Sequence, residues 1–365
     1  MQILYDHQIF SIRQYGGISR YFVELASEIS KNQDVHVRIV APINRSLFLS
    51  ERRNSLSTFG IDLSSIKKLS PRLVRPINSV LFHAYGAFAA PDIVHETLYA
   101  PKRTAPKRAR LVTTIHDTIP ERLPQFFPRV EKHKAEKRVA LRRADHIICV
   151  SESTRKDLLE LYDVNPVRVS VALLGSSIEP VFDEPVQVGS PYFLHVGARY
   201  EYKNFNGLLA AFGAARLSAT HKLVSFTAQP LTASELTVME KAGVPRSAVI
   251  RAGGDDRALA RFYAGAEALV FPSFYEGFGI PLLEAMRCGC PIIASNSSSL
   301  AEVAGDAAVY CDPADVESIS DAMLQIASKS DLKAILVARG RARAESFTWA
   351  RCAAETLKAY RSVLN

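Results

Sequence analysis

Two glutamates with seven residues between them, Glu276 and Glu284, bracket a glycine loop in FPSFYEGFGIPLLEAMRCGCP (271–291). A short apolar run ends at Phe271, Gly277 and Gly279 predict a tight loop, and Pro281 suits the first turn of a helix. The backbone amides of Gly279, Ile280, Leu282 and Leu283 would then project from a positive helix end, which suits a diphosphate. Carboxylates accept pairs of sugar hydroxyls, so one glutamate could hold a hexose and the other a ribose. The plain alternative is a glycine turn beside two solvated acids.

A second cluster, LHVGARYEYKN (194–204), places Arg199 and Lys203 four residues apart after a strand end and a glycine, at a helix start. Cations there oppose the helix dipole, and a pair of them can neutralise charge growing on a leaving diphosphate. Gly16 and Gly17 open another helix after the first strand, where a glycine pair lets backbone amides approach a phosphate. The pattern is not G-x-G-x-x-G, which argues against a dinucleotide site. His116 and Asp117 end a strand at 111–115, where an imidazole could bond a sugar hydroxyl or move a proton, although lone histidines are more often structural. His95, His146 and His195 also adjoin strands and read as core residues. The tract RAGG (251–254), with Gly253 at its turn, either cradles a nucleobase or is a capped turn before Asp255 and Asp256. Ser298 to Glu302 reads as one more helix start on the same edge, its role open.

These residues need sheets to hold them. Strand patterns fall at 2–5, 35–40, 93–95, 111–115, 146–150 and 168–174, and again at 192–196, 222–227, 248–251, 268–271, 291–294 and 308–311. Helical patterns such as 17–31, 129–143, 152–161, 204–216, 256–266 and 281–288 separate most of them. This alternation indicates α/β architecture with parallel sheets covered on both faces, and ligands then bind beyond the C-terminal strand ends. The aperiodic stretch GSSIEPVFDEPVQVGS (175–190) is the best linker. It splits the chain into two Rossmann-like domains, 1–180 and 181–347, with a last helix within 348–365 expected to cross back to the first.

The 365 residues are 48% hydrophobic and 22% charged, enough for a full core in each half. Net charge is +8, concentrated in 101–143, where thirteen Lys or Arg face four acids. Helix 129–143 is expected to touch an anionic membrane surface through this charge, or else to be a solvated helix. No interleaved aromatic–basic surface or motif supports nucleic-acid binding. The first residues read as a strand rather than a signal peptide, no run is long enough to span a bilayer, and a cytoplasmic location is expected. The five cysteines, including the Cys288-Gly-Cys290 pair, are expected to be buried free thiols. No D-x-D triplet occurs, so no bound metal and no cofactor are expected.

Taken together, the residues resemble the retaining glycosyltransferase family 4. The resemblance spans essentially the whole chain and is firmest at Glu276-x7-Glu284, with Arg199 to Asn204, His116-Asp117 and Gly16-Gly17 in support. It implies a GT-B fold, two facing Rossmann-like domains with an interdomain cleft, and transfer of a hexose from a nucleotide-sugar donor. It also implies roles: Glu276 on the donor sugar, Glu284 on the ribose, Arg199 and Lys203 on the diphosphate, Gly17 near it, and His116 on the transferred sugar. The opening LYDHQIF…YGGISRYFVEL looks most like bacterial mannosyltransferases of O-antigen and similar polysaccharides. That favours GDP-mannose as donor and a glycan or lipid-linked acceptor. A UDP- or other nucleotide-sugar donor, a nucleotide-sugar epimerase, and a basic nucleic-acid-binding module are the alternatives.

Overall fold

The computed structural model describes residues 1–12, 14–66, 70–99, 102–182 and 184–365. It separates into two units. The first comprises Met1–Glu121, Phe127–Gly175 and Trp349–Asn365, and the second Arg122–Phe126 and Ser176–Thr348.

The first unit holds a seven-stranded parallel sheet of β1 (Gln2–Tyr5), β2 (His36–Asn44), β3 (Thr58–Asp62), β4 (Ile93–Glu96), β5 (Arg110–Ile115), β6 (His146–Cys149) and β7 (Val169–Val171), in the order 3-2-1-4-5-6-7. Six of these strands match the sequence reading; β3 was not expected. Its sequence TFGID leaves Phe59 and Ile61 exposed on the sheet edge, so it lacks the apolar run of a buried strand. Gly60 is required there, because at φ +141° a Cβ would lie 1.9 Å from the carbonyl oxygen of Ala41. A long helix absent from the sequence reading, Pro71–Ala89, connects β3 to β4 and buries Val74, Phe82 and Gly86 on its core side.

The second unit holds β8 (Tyr192–Val196), β9 (Lys222–Phe226), β10 (Val249–Ala252), β11 (Ala268–Phe271), β12 (Ile292–Ser295) and β13 (Ala308–Cys311), all parallel, in the order 10-9-8-11-12-13. The inner strands are largely apolar, as suits strands covered on both faces: every residue of β8, β11 and β12 is buried, His195 and Ser295 included. In each sheet the strand order reverses once, between β1 and β4 and between β8 and β11. Chain leaving adjacent strands at such a point diverges to opposite faces and opens a crevice at their C-terminal ends.

The helix Trp349–Ser362 belongs to the first unit. Trp349 packs on Tyr21, and the Tyr360 hydroxyl lies 2.6 Å from Nδ1 of His95 and 3.2 Å from the Tyr5 hydroxyl. All five cysteines are buried and unbridged. No helix among the described residues is long and apolar enough to cross a membrane.

Candidate functional site

In the second unit the loops after β8 and β11 flank the reversal, and their side chains meet there. Lys203 sits in a 3-10 turn, Glu201–Lys203, and its Nζ lies 2.7 Å from Oε1 of Glu276. Ser273 Oγ donates to the same oxygen at 2.9 Å. Oε2 of Glu276 has no hydrogen-bond partner among the described residues, and the pair lies near the surface, with side chains 14% and 11% exposed. The backbone around Glu276 is tied from both sides: its N–H donates to Ser298 Oγ, and Ser299 Oγ donates to its carbonyl. The serines whose role was open thus position Glu276. Ser298 adopts φ +50° to do so, a left-handed value that marks a demanding local geometry.

The helix does not begin at Lys203. Asn204, itself left-handed at φ +56°, caps Phe205–Ala214 by accepting from the N–H of Gly207, so Arg199 and Lys203 both precede the helix. Arg199 is engaged elsewhere. Its guanidinium makes a bidentate pair with Glu235 (2.7 and 3.3 Å), also donates to the carbonyls of Gln229 and Pro230, and lies over the Phe205 ring. With side chains 3% and 6% exposed, this is a buried ion pair. Glu235 went unnoticed in the sequence, although Thr232-Ala-Ser-Glu235 has the spacing of the capping box that the structure forms.

Gly279 caps the helix Ile280–Arg287 at φ +102°, and a Cβ there would lie 2.7 Å from a Leu300 methyl. Of the residues expected to offer amides, Leu282 spends its N–H on the carbonyl of Gly279, and the Leu282 and Leu283 side chains are core. Glu284 is buried and accepts from the Tyr263 hydroxyl at 3.0 Å. Gly253 lies in open space after edge strand β10, and Asp255 caps the next helix through the N–H of Ala258. His195 is fully buried on β8 with neither ring nitrogen bonded, and burial, with Lys203 and Arg199 nearby, pushes it down to about 3.

In the first unit, His116 follows β5 and packs edge-on to Tyr21 and Phe22. Its Nε2 is buried without a partner, and burial, with help from Lys137, pushes its pKa down to about 3. It is therefore a neutral imidazole suited to hydrogen bonding rather than a cationic acid. Lys137, one of the cations of helix 129–143 expected to face a membrane or solvent, is completely buried. It pairs with Glu121 at 2.7 Å, donates to the carbonyl of Asp117 at 3.0 Å and lies over Tyr99. The apolar stripe of this helix is thin, so its cations split between solvent and structure. Gly17 begins the helix Gly17–Ile29 with Gly16 as its cap, residues 6–15 separating the pair from β1, and space for a Cβ stays open at Gly17.

Comparison with known proteins places these loops in context. Residues 15–175 match the model "Glycosyltransferase Family 4", and residues 178–343 match "Glycosyl transferases group 1". The chain belongs to this glycosyltransferase family. It is 29% identical to the O-antigen chain mannosyltransferase B of Escherichia coli, over 94% of this chain and 96% of that one. It is 28% identical to the serotype-specific mannosyltransferase WbdA of Escherichia coli over 75% of its own length, but spans only 37% of that protein. Sucrose-phosphate synthase from Thermosynechococcus elongatus superposes with a TM-score of 0.76 at 19% identity, over 99% of this chain and 98% of that one, a likeness of fold. The glycosyltransferase is thus of GT-B type, built on two parallel-sheet domains.

Proposed function

We propose that this glycosyltransferase moves mannose from GDP-mannose, with retention at the anomeric carbon, to a hydroxyl of a growing glycan in surface polysaccharide synthesis. The observation that carries the reading is the Lys203–Glu276 pair at the reversal of the second sheet, with Oε2 of Glu276 open to a ligand. Support for mannose comes from the relatives named as mannosyltransferases, one of them matched over nearly the full length of both chains.

In this reading Lys203 turns from Glu276 to the donor diphosphate, where its charge offsets the negative charge that grows as the glycosidic C–O bond breaks. Glu276, relieved of its cation, accepts hydroxyl hydrogen bonds from the hexose. Glu284, buried and oriented by Tyr263, takes the ribose, and the amides of Gly279 and Ile280 face the phosphates. The acceptor hydroxyl attacks the anomeric carbon from the side the diphosphate leaves, and its proton passes to the departing phosphate oxygen. His116, neutral, bonds the transferred sugar. Arg199 contributes through Glu235, by fixing the loop from which Lys203 projects. Charge neutralisation rests on Lys203, so no divalent metal takes part, and the enzyme works at the inner face of the membrane where nucleotide sugars are made.

Thermal unfolding and product formation with GDP-mannose, GDP, UDP-glucose and UDP, each with EDTA, test the reading. GDP-mannose should raise the melting temperature and yield an α-mannosylated product. Stabilisation by UDP-glucose alone would replace the donor, and turnover abolished by EDTA and restored by manganese would overturn the metal-free mechanism.

A further inference from the structure

The reversal in the first sheet has its own cavity. His7 and Gln8, which leave β1, and Lys102 to Thr104, beyond β4, line a space of about 410 Å³ together with the helix Pro71–Ala89. Its basic lining is His7, Arg72, Arg75, His83, Lys102 and Arg103, and no Asp or Glu among the described residues lines it. The side chains of Arg72, Arg75 and Lys102 make no hydrogen bond or ion pair with another described residue. Arg72 and Arg75 also stand in the first turns of a 19-residue helix, where its dipole disfavours cations.

The acids of this edge are consumed inward. Asp6 accepts from the amide and side chain of Gln8 and from the N–H and hydroxyl of Thr97, while Glu96 accepts from the N–H and hydroxyl of Thr104 and pairs with Arg143. The cavity's positive charge is therefore left for a ligand. Oε1 of buried Gln8 is a further unpaired polar atom.

The helix turns a third face to solvent. Leu73, Ile77, Val80, Leu81 and Phe88 recur at helical spacing and are exposed, Val80 to 70% and Phe88 to 92%. At about 100° per residue, this stripe lies roughly 120° from both the core face and the cavity face. A cationic pocket beside an apolar ridge fits an anion carried on a lipid.

We propose that this cavity holds the phosphate or diphosphate of a lipid-borne acceptor, with the exposed stripe of helix Pro71–Ala89 set against the lipid. The inference rests on the glycan-building reading and sharpens it by naming the acceptor's class.

The test follows the imidazole NMR signals of His7 and His83 in the full chain, titrated with farnesyl diphosphate and, separately, inorganic pyrophosphate. Burial, against the opposing pull of Asp6 and with help from Arg75 and His83, holds the His7 imidazole below the usual range, so an anion in the cavity should raise its pKa. Both ligands should move the signals, with farnesyl diphosphate binding at least tenfold tighter. Val80→Ser with Phe88→Ser should bring its affinity down to that of pyrophosphate, and Arg72→Glu with Arg75→Glu should weaken both ligands more than tenfold. These side chains are exposed, so the variants should keep their folded circular dichroism. Unchanged affinity in the arginine variant, or equal affinity for the two ligands, would overturn the proposal. Sedimentation with phosphatidylglycerol vesicles without any response to farnesyl diphosphate would assign the surface to bulk membrane and overturn the acceptor site. Binding is read without donor or turnover, so a chain that transferred no sugar would leave this result standing, and failure here would leave the transferase reading intact.

Discussion

The two sheets reverse strand order in the same way, yet their ligand edges are charged on different principles. In the second unit, both cations of the loop after β8 are matched by carboxylates, Arg199 by Glu235 and Lys203 by Glu276. In the first, Arg72, Arg75 and Lys102 line a cavity while Asp6 and Glu96 are turned inward onto Gln8, Thr97, Thr104 and Arg143. A matched edge can stay ordered without its ligand, and it exchanges one partner for another when the ligand arrives. An unmatched edge stores repulsion that only an incoming anion relieves. Position in the fold therefore says where a ligand binds, and the pairing of side chains says what the site costs before it binds.

The comparison is broken most directly by removing one cation from each edge. Arg199→Ala leaves Glu235 buried and unpaired, and should cost about 3–5 kcal/mol of stability. Arg75→Ala, at an exposed and unpaired position, should change stability by less than about 0.5 kcal/mol. Urea unfolding of the two variants decides, and equal costs would erase the distinction.

A kinetic contrast sits within the matched edge itself. Lys203→Ala should lower kcat/KM by about 10²–10³, as expected for loss of one preorganised charge at a leaving group. Glu235→Gln should act mainly on stability, since it reaches the site only through Arg199. Steady-state rates compared with melting temperatures separate them, and a Lys203→Ala enzyme with wild-type kcat/KM would remove Lys203 from the mechanism.

The smallest effect concerns buried imidazoles, one in each sheet. His95 on β4 and His195 on β8 are both pushed down to about 3 by burial. Their folded values lie below the unfolded value near 6.5, so the unfolded state takes up protons first as pH falls. Stability should be intact above about pH 6.5 and decline below it, by about 2 kcal/mol per histidine at pH 5. His195→Asn should remove about that much of the loss between pH 7 and pH 5 in urea titrations at the two pH values. His95, whose nitrogens contact Tyr360 and Thr114, should be less tolerant of replacement than His195, whose ring nitrogens have no hydrogen-bond partner among the described residues.

Much of the fold was legible because buried parallel strands write themselves as uninterrupted apolar runs. HIICV and EALVF could be placed on sight, and both lie within a residue or so of β6 and β11. The edge strand Thr58–Asp62 escaped because Phe59 and Ile61 face outward, and the helix Pro71–Ala89 because exposed Leu73, Ile77, Val80, Leu81 and Phe88 outnumber buried Val74 and Phe82 and blur the single apolar face that periodicity detects. The division between the units falls at Gly175 and Ser176, and nothing local in the sequence groups Arg122–Phe126 with the second unit. Phe126 stacks on Phe274, a contact between residues 148 positions apart in the chain.

The sequence by itself determined the parallel α/β architecture, the glycine loop before Pro281, and the candidates Lys203, Glu276 and Glu284, because strand hydrophobicity and helix-start chemistry are local. Only the tertiary structure decided which charges find partners. Lys137 looked like one more solvent cation of a basic helix and is instead a buried partner of Glu121, and Arg199 looked like the twin of Lys203 and is held by Glu235. Ser298 and Ser299 proved to hold the backbone of Glu276 across 22 and 23 residues of chain. The physical reason is that the energy of a charge depends on burial and on the nearest opposite charge, and both are set by elements distant in sequence.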